Sequence, residues 1–394
     1  MNSIKKTLLL ILILSLGCAN ANQNKTVEAT PADNPPIQKP FHINLPSGSG
    51  EGYLKLSDFS DHMEYIPLET KKESLVRGVA CLQMNDSVIG VSDMQKVLLF
   101  KKNGKFIRTI GRRGKGPQEY GGIYNFYFKA DTIYIITVNK VLKFTMDGKF
   151  QREIKTNSLS HTTMDDKGNL IYYNEDNGEL TYFNPSIKPA RKFIAIKNVT
   201  NGYWVLYDSE DKYFQPAKGK TLFTSYKSDT IWDLSSGKMK AEYILNLKEK
   251  LLPTNLHLGN FKGTFVDFQK AAKPYMKMNM IEQYSNLFLI QKSWGTGKKS
   301  AIYLHNLNDH TTRKFDPAYL KDDIIGKIKI RPKLELSTEN DIITYLRADE
   351  LVSAIDSLNK QKVINEPKHN LWKSKVSNVK FDDNPILVII KPRK

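Results

Sequence analysis

From residue 78 onward the chain consists of short runs in which apolar and polar side chains tend to alternate, separated by Gly, Asn and Asp. Such runs read as half-buried β-strands, because successive side chains of a strand point to opposite faces. Residues 78–84, 87–92, 96–100 and 106–111 form one set of four, with Asn85-Asp86, Asp93-Met94-Gln95 and Asn103-Gly104 as turns. The stretch 96–110 then returns 44 residues later as 140–154, with nine of 15 positions identical and Asp147-Gly148 in place of Asn103-Gly104. An Asn-Gly or Asp-Gly pair between apolar runs is the strongest local hairpin signal, and both turn residues are expected at positive φ.

The second set is 124–129, 132–138, 140–145 and 150–155, and a looser third is 161–164, 169–173, 179–183 and 191–196. A fourth fits 202–207, 221–226, 230–234 and 238–245; a fifth fits 281–283, 286–292, 300–307 and 311–315. Between them, 247–277 lacks alternation and contains Pro253 and Pro274, which predicts an inserted loop with a short helix. The last portion offers strands at 342–346, 376–381 and 386–390, plus a helix over 349–360 capped by Asp349, with Leu351, Val352, Ile355 and Leu358 on one face. That sixth set lacks one strand, which 62–68 can supply. A four-stranded unit repeating every ~40–50 residues is the signature of a propeller blade. The expected fold class is therefore all-β: a six-bladed β-propeller of four-stranded antiparallel blades over 51–394, closed by pairing its N- and C-terminal strands, which removes open edges. A seventh blade requires that 247–277 conceal one.

The beginning of the chain follows other rules. Lys5 and Lys6 precede an unbroken aliphatic run from Leu8 to Leu14, too short to span a bilayer, and Ser15-Leu16-Gly17-Cys18 follows. This reads as an export signal over 1–17. Its end resembles a bacterial lipobox, with Cys18 as the lipidated residue, although Ser15 stands where Leu is commonest; a plain secretory signal with a chance Cys is the alternative. Residues 19–40 contain no aromatic side chain and are rich in Asn, Ala, Thr and Pro, so 18–50 is expected to be a lipidated Cys followed by a flexible tether. Cys81 is then the one cysteine left, so no intramolecular disulfide can form.

The formal charge is +18, or +16 without Lys5 and Lys6. In an exported protein that excess favours anionic partners such as lipid head groups or acidic glycans, and nucleic acid is not expected; because the Lys residues are scattered and mostly alternate with apolar ones along strands, a solvated sheet surface is the favoured reading. The candidate site is Gly111-Arg112-Arg113-Gly114-Lys115-Gly116-Pro117-Gln118-Glu119-Tyr120, where three cations and several backbone N–H groups can face a phosphate or carboxylate. Arg112, Arg113, Lys115, Glu119 and Tyr120 are the ligand-binding candidates; the plainer reading is a blade-to-blade connection whose glycines allow tight turns. It is no nucleotide P-loop, because Pro117 stands where a hydroxyl and a helix are needed. The seven His (42, 62, 161, 257, 305, 310 and 369) show no helical metal-binding spacing, no Gly-x-Ser-x-Gly elbow occurs, and no cofactor, metal or catalytic residue is assigned. Asp165–Asn169 reads as a hairpin turn rather than a calcium loop. Trp204, Trp232, Trp294 and Trp372 are either a sugar-stacking platform or, more ordinarily, inter-blade packing.

Glu64-Tyr65-Ile66-Pro67-Leu68-Glu69-Thr70, then Ile110-Gly111-Arg112-Arg113-Gly114-Lys115-Gly116-Pro117-Gln118-Glu119-Tyr120, and the closing Asp382-Asp383-Asn384-Pro385-Ile386-Leu387-Val388 resemble the six-bladed, NHL-like β-propeller lipoproteins of Bacteroidetes. Gln118 departs from the Gly usual there. The resemblance implies an envelope-anchored propeller without an established reaction; the stretch after Cys18 lacks the acidic residues of surface-exported relatives, which points to a periplasm-facing anchor, and a monomer is expected. The expected function is a non-catalytic binding or scaffolding module for a glycan, a peptide or an envelope protein. The alternative is a lyase or hydrolase acting on polysaccharide or peptide in the axial pocket.

Overall fold

The computed structural model describes residues 39–393 except 157–160, 175–178, 185–186, 195–212, 218, 226–227, 249, 252, 254–255, 257–260, 285, 295–298, 317, 331–335, 338–340 and 360–366. The chain is an all-β propeller of mainly antiparallel sheets. Cys81–Met84, Val88–Ser92, Val97–Lys101 and Phe106–Ile110 make the first sheet; Asn125–Lys129, Thr132–Ile136, Lys140–Thr145 and Phe150–Lys155 the second. His161–Met164, Leu170–Asn174, Glu179–Asn184 and Ile187–Ile194 form the third; Phe214–Ala217, Lys220–Phe223, Thr230–Asp233 and Lys240–Asn246 the fourth. Met276–Tyr284, Leu287–Trp294, Lys299–Asn306 and Thr312–Phe315 make the fifth. The sixth joins Leu336–Ser337, Ile342–Leu346 and Ile386–Pro392 to Ser60–Pro67, so an early strand pairs antiparallel with the last, Tyr65 opposite Val388. First strands of successive sheets touch one another, the sixth against the first, the first against the second, the third against the fourth and the fourth against the fifth.

The count differs from six. A seventh, three-stranded sheet joins Leu54–Lys55, Leu320–Lys321 and Lys329–Ile330, and a two-stranded ribbon pairs Arg112–Arg113 with Glu119–Tyr120. It does not arise from 247–277, which holds the short helix α1 (Phe265–Ala272), capped by Thr264. Strands of two residues are too short to alternate, which is why the pattern did not reveal them. The predicted helix at the end of the chain is α2 (Ala348–Asn359), with Leu351 buried and Asp349 inside its first turn rather than at its cap. The strand expected at 376–381 is instead the end of helix α3 (Pro367–Val376) and a turn. The predicted strand 202–207 lies outside the described residues; the fourth sheet begins with Phe214–Ala217.

The stretch expected to be tether up to residue 50 is structured from Phe41. Phe41–Asn44 adds a fifth, parallel strand outside Lys240–Asn246, and Ile43 and Leu45 are buried. From there the chain forms a strap across outer strands: the Glu51 N–H donates to the Lys314 carbonyl at 2.9 Å, Leu54–Lys55 pairs with Leu320–Lys321, and Ser60–Pro67 completes the sixth sheet.

The hairpin turns also refine the expectation. Gly104 and Gly148 have φ of 84° and 87°, but Asn103 and Asp147 do not enter the left-handed region. Gly104 N–H donates to the Lys101 carbonyl at 2.9 Å, Lys101 N–H to the Lys105 carbonyl at 2.7 Å, and the register shifts between Leu99 and Phe100. This is a three-residue turn closed by a glycine bulge, which needs one left-handed residue and not two. Asp165–Asn169 closes the same way, with Gly168 at 78°.

Sheets pack face to face, and one glycine sets the first such contact. A Cβ on Gly90 would lie 2.6 Å from both the Phe126 and Phe128 rings of the second sheet. Gly90→Val is therefore expected to destabilise the protein by ~1–3 kcal/mol through overpacking, read as a lower urea midpoint; an unchanged midpoint would show that the two sheets do not press together there.

Candidate functional site

The connection from first to second sheet is a rigid, self-bonded loop. Gly111 takes φ 63°, and a Cβ there would meet the Tyr120 ring at 2.8 Å. Arg112 and Arg113 then pair with Glu119 and Tyr120, and Gly114 N–H donates to the Tyr120 carbonyl at 3.0 Å. One Glu119 oxygen receives the Gly116 N–H at 2.9 Å and the other sits 2.7 Å from Arg112 Nε. The Gly116 N–H, with the Arg112 guanidinium behind it, holds the Glu119 carboxyl below its ordinary range. Lys140 Nζ bridges the Gly116 carbonyl at 3.1 Å and Glu153 at 3.0 Å, tying the loop to the second sheet.

The five predicted residues therefore separate into two groups. Arg112, Arg113 and Lys115 are exposed; Arg113 Nη1 donates to Gln95 Oε1 at 3.2 Å. Glu119 is the loop's internal clamp. Tyr120 belongs to the core between the first two sheets: its hydroxyl donates to the Ile110 carbonyl at 2.8 Å, and burial pushes its pKa up to about 12. No ligand can reach it without displacing that core.

The stretch that makes the first two sheets is strongly cationic. Residues 96–155 carry 14 Lys and Arg against four Asp and Glu. Two of those acids, Glu119 and Glu153, are already held by Arg112 and Lys140.

Among the described residues the other side chains that could carry chemistry do not assemble into a site. Asp322 is fully buried and accepts from Tyr65, Ile324, Ile325 and Gly326, while Asp323 binds Ser57. Trp372 is buried against Tyr65, and Trp232 of the fourth sheet is half-buried in the cluster between the third and fourth sheets; Trp204 and the Trp294 side chain lie outside the described residues. His257 lies outside them too, and among the described residues no three His, Cys, Asp or Glu side chains meet as a metal site. In the fifth sheet Glu282 and Lys292 are buried, but they occupy opposite faces and form no acid–base pair. A crevice between the fourth and fifth sheets, lined by Gln215, Thr224 and Ile281 among others, measures about 10 Å³, room for one water.

Sequence reasoning missed three exposed apolar residues beside the loop, Met94, Tyr124 and Val138. Met94 stands in a predicted turn, and the pattern places Tyr124 and Val138 at the ends of strands 124–129 and 132–138, whereas the strands run over Asn125–Lys129 and Thr132–Ile136 and leave both residues outside.

Among solved structures, a Bacteroides fragilis protein, whose name marks it as one expected to be exported, is similar over 90% of this chain and 100% of its own, with a TM-score of 0.68 at 15% identity. That likeness bears on fold alone. A virginiamycin B lyase from Staphylococcus aureus overlaps 64% of this chain and 73% of its own, with a TM-score of 0.37 at 10% identity. The extracellular domain of a one-component system from B. thetaiotaomicron overlaps 64% of this chain and 32% of its own, with a TM-score of 0.39 at 9% identity. The last two overlaps are too loose to bear on function. No curated protein matches the chain. The model of a domain of unknown function, DUF4934, matches residues 41–391, and the chain belongs to that family.

Proposed function

We propose that this chain is an envelope propeller that binds and does not catalyse, held to a membrane through a lipid on Cys18 and facing the periplasm. In this reading the pairing of Ser60–Pro67 with Ile386–Pro392 shuts the ring. The observation that carries the binding role is the ribbon of Arg112, Arg113 and Lys115: exposed cations on a backbone fixed by its own hydrogen bonds. A preformed cationic edge loses little freedom when an anionic group arrives. The expected ligands are a glycan, a peptide or a protein carrying acidic groups.

Two measurements test this. Cys18→Ser should move the protein from the membrane to the soluble envelope fraction and abolish incorporation of labelled fatty acid; a variant that stays membrane-bound removes the anchor. Incubating the mature protein with polysaccharide and peptide panels should give binding without new ends; unsaturated or hydrolysed products would establish an enzyme instead.

A further inference from the structure

We propose that the loop end of the first two sheets docks an acidic stretch of a partner protein that also carries apolar side chains. This deepens the binding-module reading and rests on it.

Met94, Tyr124 and Val138 are 56%, 46% and 49% exposed, three of the six large apolar side chains exposed among the described residues. Met94 lies in the turn between the second and third strands of the first sheet, and Val138 lies in the corresponding turn of the second. Tyr124 stands just before the second sheet's first strand. Antiparallel order puts all three at the same end as the cationic ribbon. Backbone bonds fix them together: Ile123 N–H donates to the Met94 carbonyl and Tyr124 N–H to the Ile136 carbonyl, each at 2.9 Å. Arg113 reaches Gln95, the neighbour of Met94.

Met94 is also strained. Its φ of 67° is rarely adopted by a residue with a side chain, and Asn or Gly would hold that turn more easily. A strained, exposed methionine beside an exposed tyrosine and pinned arginines has the make-up of an interface core, where Met, Tyr and Arg are enriched. Met adapts to an apolar surface, and Arg presents a fork that matches a carboxylate.

A membrane fits these observations less well. Peripheral lipid binding relies on a continuous apolar face flanked by mobile basic side chains. Here the apolar side chains stand singly and the cations project from a hydrogen-bonded ribbon. A sugar platform would need several exposed rings, and Tyr124 is the one exposed aromatic among the described residues at this end.

The probes are fluorescein-labelled octapeptides of alternating Glu and Leu, Glu and Ser, or Lys and Leu, titrated by polarisation against the full mature chain. The Glu/Leu peptide is expected to bind tightest, and both Arg113→Glu/Lys115→Glu and Tyr124→Ser should weaken it about tenfold or more. These substitutions leave the Arg112–Glu119 clamp intact, so melting should be unchanged. Failure of the Glu/Leu peptide to bind, or binding indifferent to both variants, overturns the proposal. So does a protein that ignores the peptides but sediments with phosphatidylglycerol vesicles through these same residues. If an envelope glycan or protein still binds the variants at full affinity, the binding-module reading stands and this docking face falls; turnover of a probe would defeat that reading itself.

Discussion

Asp322→Ala is expected to destabilise the propeller by about 4 kcal/mol, because a single buried carboxylate joins the Ser60–Pro67 strand of the sixth sheet to the turn between Leu320–Lys321 and Lys329–Ile330 of the three-stranded sheet. Its Oδ2 accepts the Tyr65 hydroxyl at 2.7 Å and the Gly326 N–H at 2.5 Å, and its Oδ1 accepts the N–H groups of Ile324 and Ile325 at 2.9 and 3.0 Å. Tyr65 belongs to Ser60–Pro67, and its ring lies 5.4 Å from that of Trp372 on α3. His369, one turn earlier on that helix, meets the Ile325 carbonyl at 2.7 Å. Burial, and then the Asp322 charge, push the Tyr65 pKa far above its ordinary value, so its hydroxyl stays a donor. Truncation to Ala leaves four donors facing apolar walls, each carrying a penalty of roughly 1–3 kcal/mol, less what water entering the gap returns. Asp322→Asn should cost about half as much, since the amide keeps one acceptor but turns an NH₂ toward existing donors. Tyr65→Phe should cost about 1–2 kcal/mol, the share of one charge-assisted bond. Urea unfolding of the three variants checks the ranking; a loss below about 1 kcal/mol for Asp322→Ala would mean the cluster is not tied together through this group.

That cluster shows where sequence reading stops. The hairpins of the first two sheets were legible because Asn103-Gly104 and Asp147-Gly148 sit between alternating runs, so turn chemistry and periodicity agreed. The pairing of Ser60–Pro67 with the end of the chain was legible as well, from one set lacking a strand. Strands of two residues carry no period, so the sheet through Leu54, Leu320 and Ile330 left no trace. Phe214–Ala217 contains Pro216, which argues against a strand on sequence grounds yet is tolerated there. Helix α3 was missed because its cationic residues mask the buried positions Trp372 and Val376. At the site, glycines and arginines announced the loop, but burial alone decides that Tyr120 is core while Arg113 is surface. Asp322 and Asp323 are neighbours in the sequence, yet the first anchors a buried network and the second binds Ser57 at the surface.

Phe41–Leu45, the first stretch of the strap, should loosen from the fourth sheet when its two buried side chains are removed, because Ile43 and Leu45 supply most of that stretch's apolar burial. Ile43 is fully buried and Leu45 nearly so, each contributing roughly 1.5–3 kcal/mol of burial. The fork from Arg313 to Glu51 is about half exposed and adds little. Ile43→Ala with Leu45→Ala is therefore expected to remove about 4 kcal/mol of docking free energy, at ~1.4 kcal/mol per tenfold a several-hundred-fold loss of amide-exchange protection over Phe41–Leu45. Beyond detachment the loss saturates, so global melting should fall less than the local figure implies. Acid should act on the same contact. The Phe41 ring lies 6.1 Å from His305 and 4.8 Å from His310. His305 Nδ1 pairs with Thr312 at 2.8 Å, and Asp309 is the nearby carboxylate that favours its charged form. Burial first, and then His310, lower the His305 pKa from its ordinary 6.5. The released ring binds a proton below pH 6.5 while the docked ring resists it, so stability is full above that pH and declines as pH falls toward the docked value. Protection over Phe41–Leu45 should accordingly drop between neutral and mildly acidic pH, and His305→Gln should flatten that dependence; a pH response identical in the variant would show that His305 is not its source.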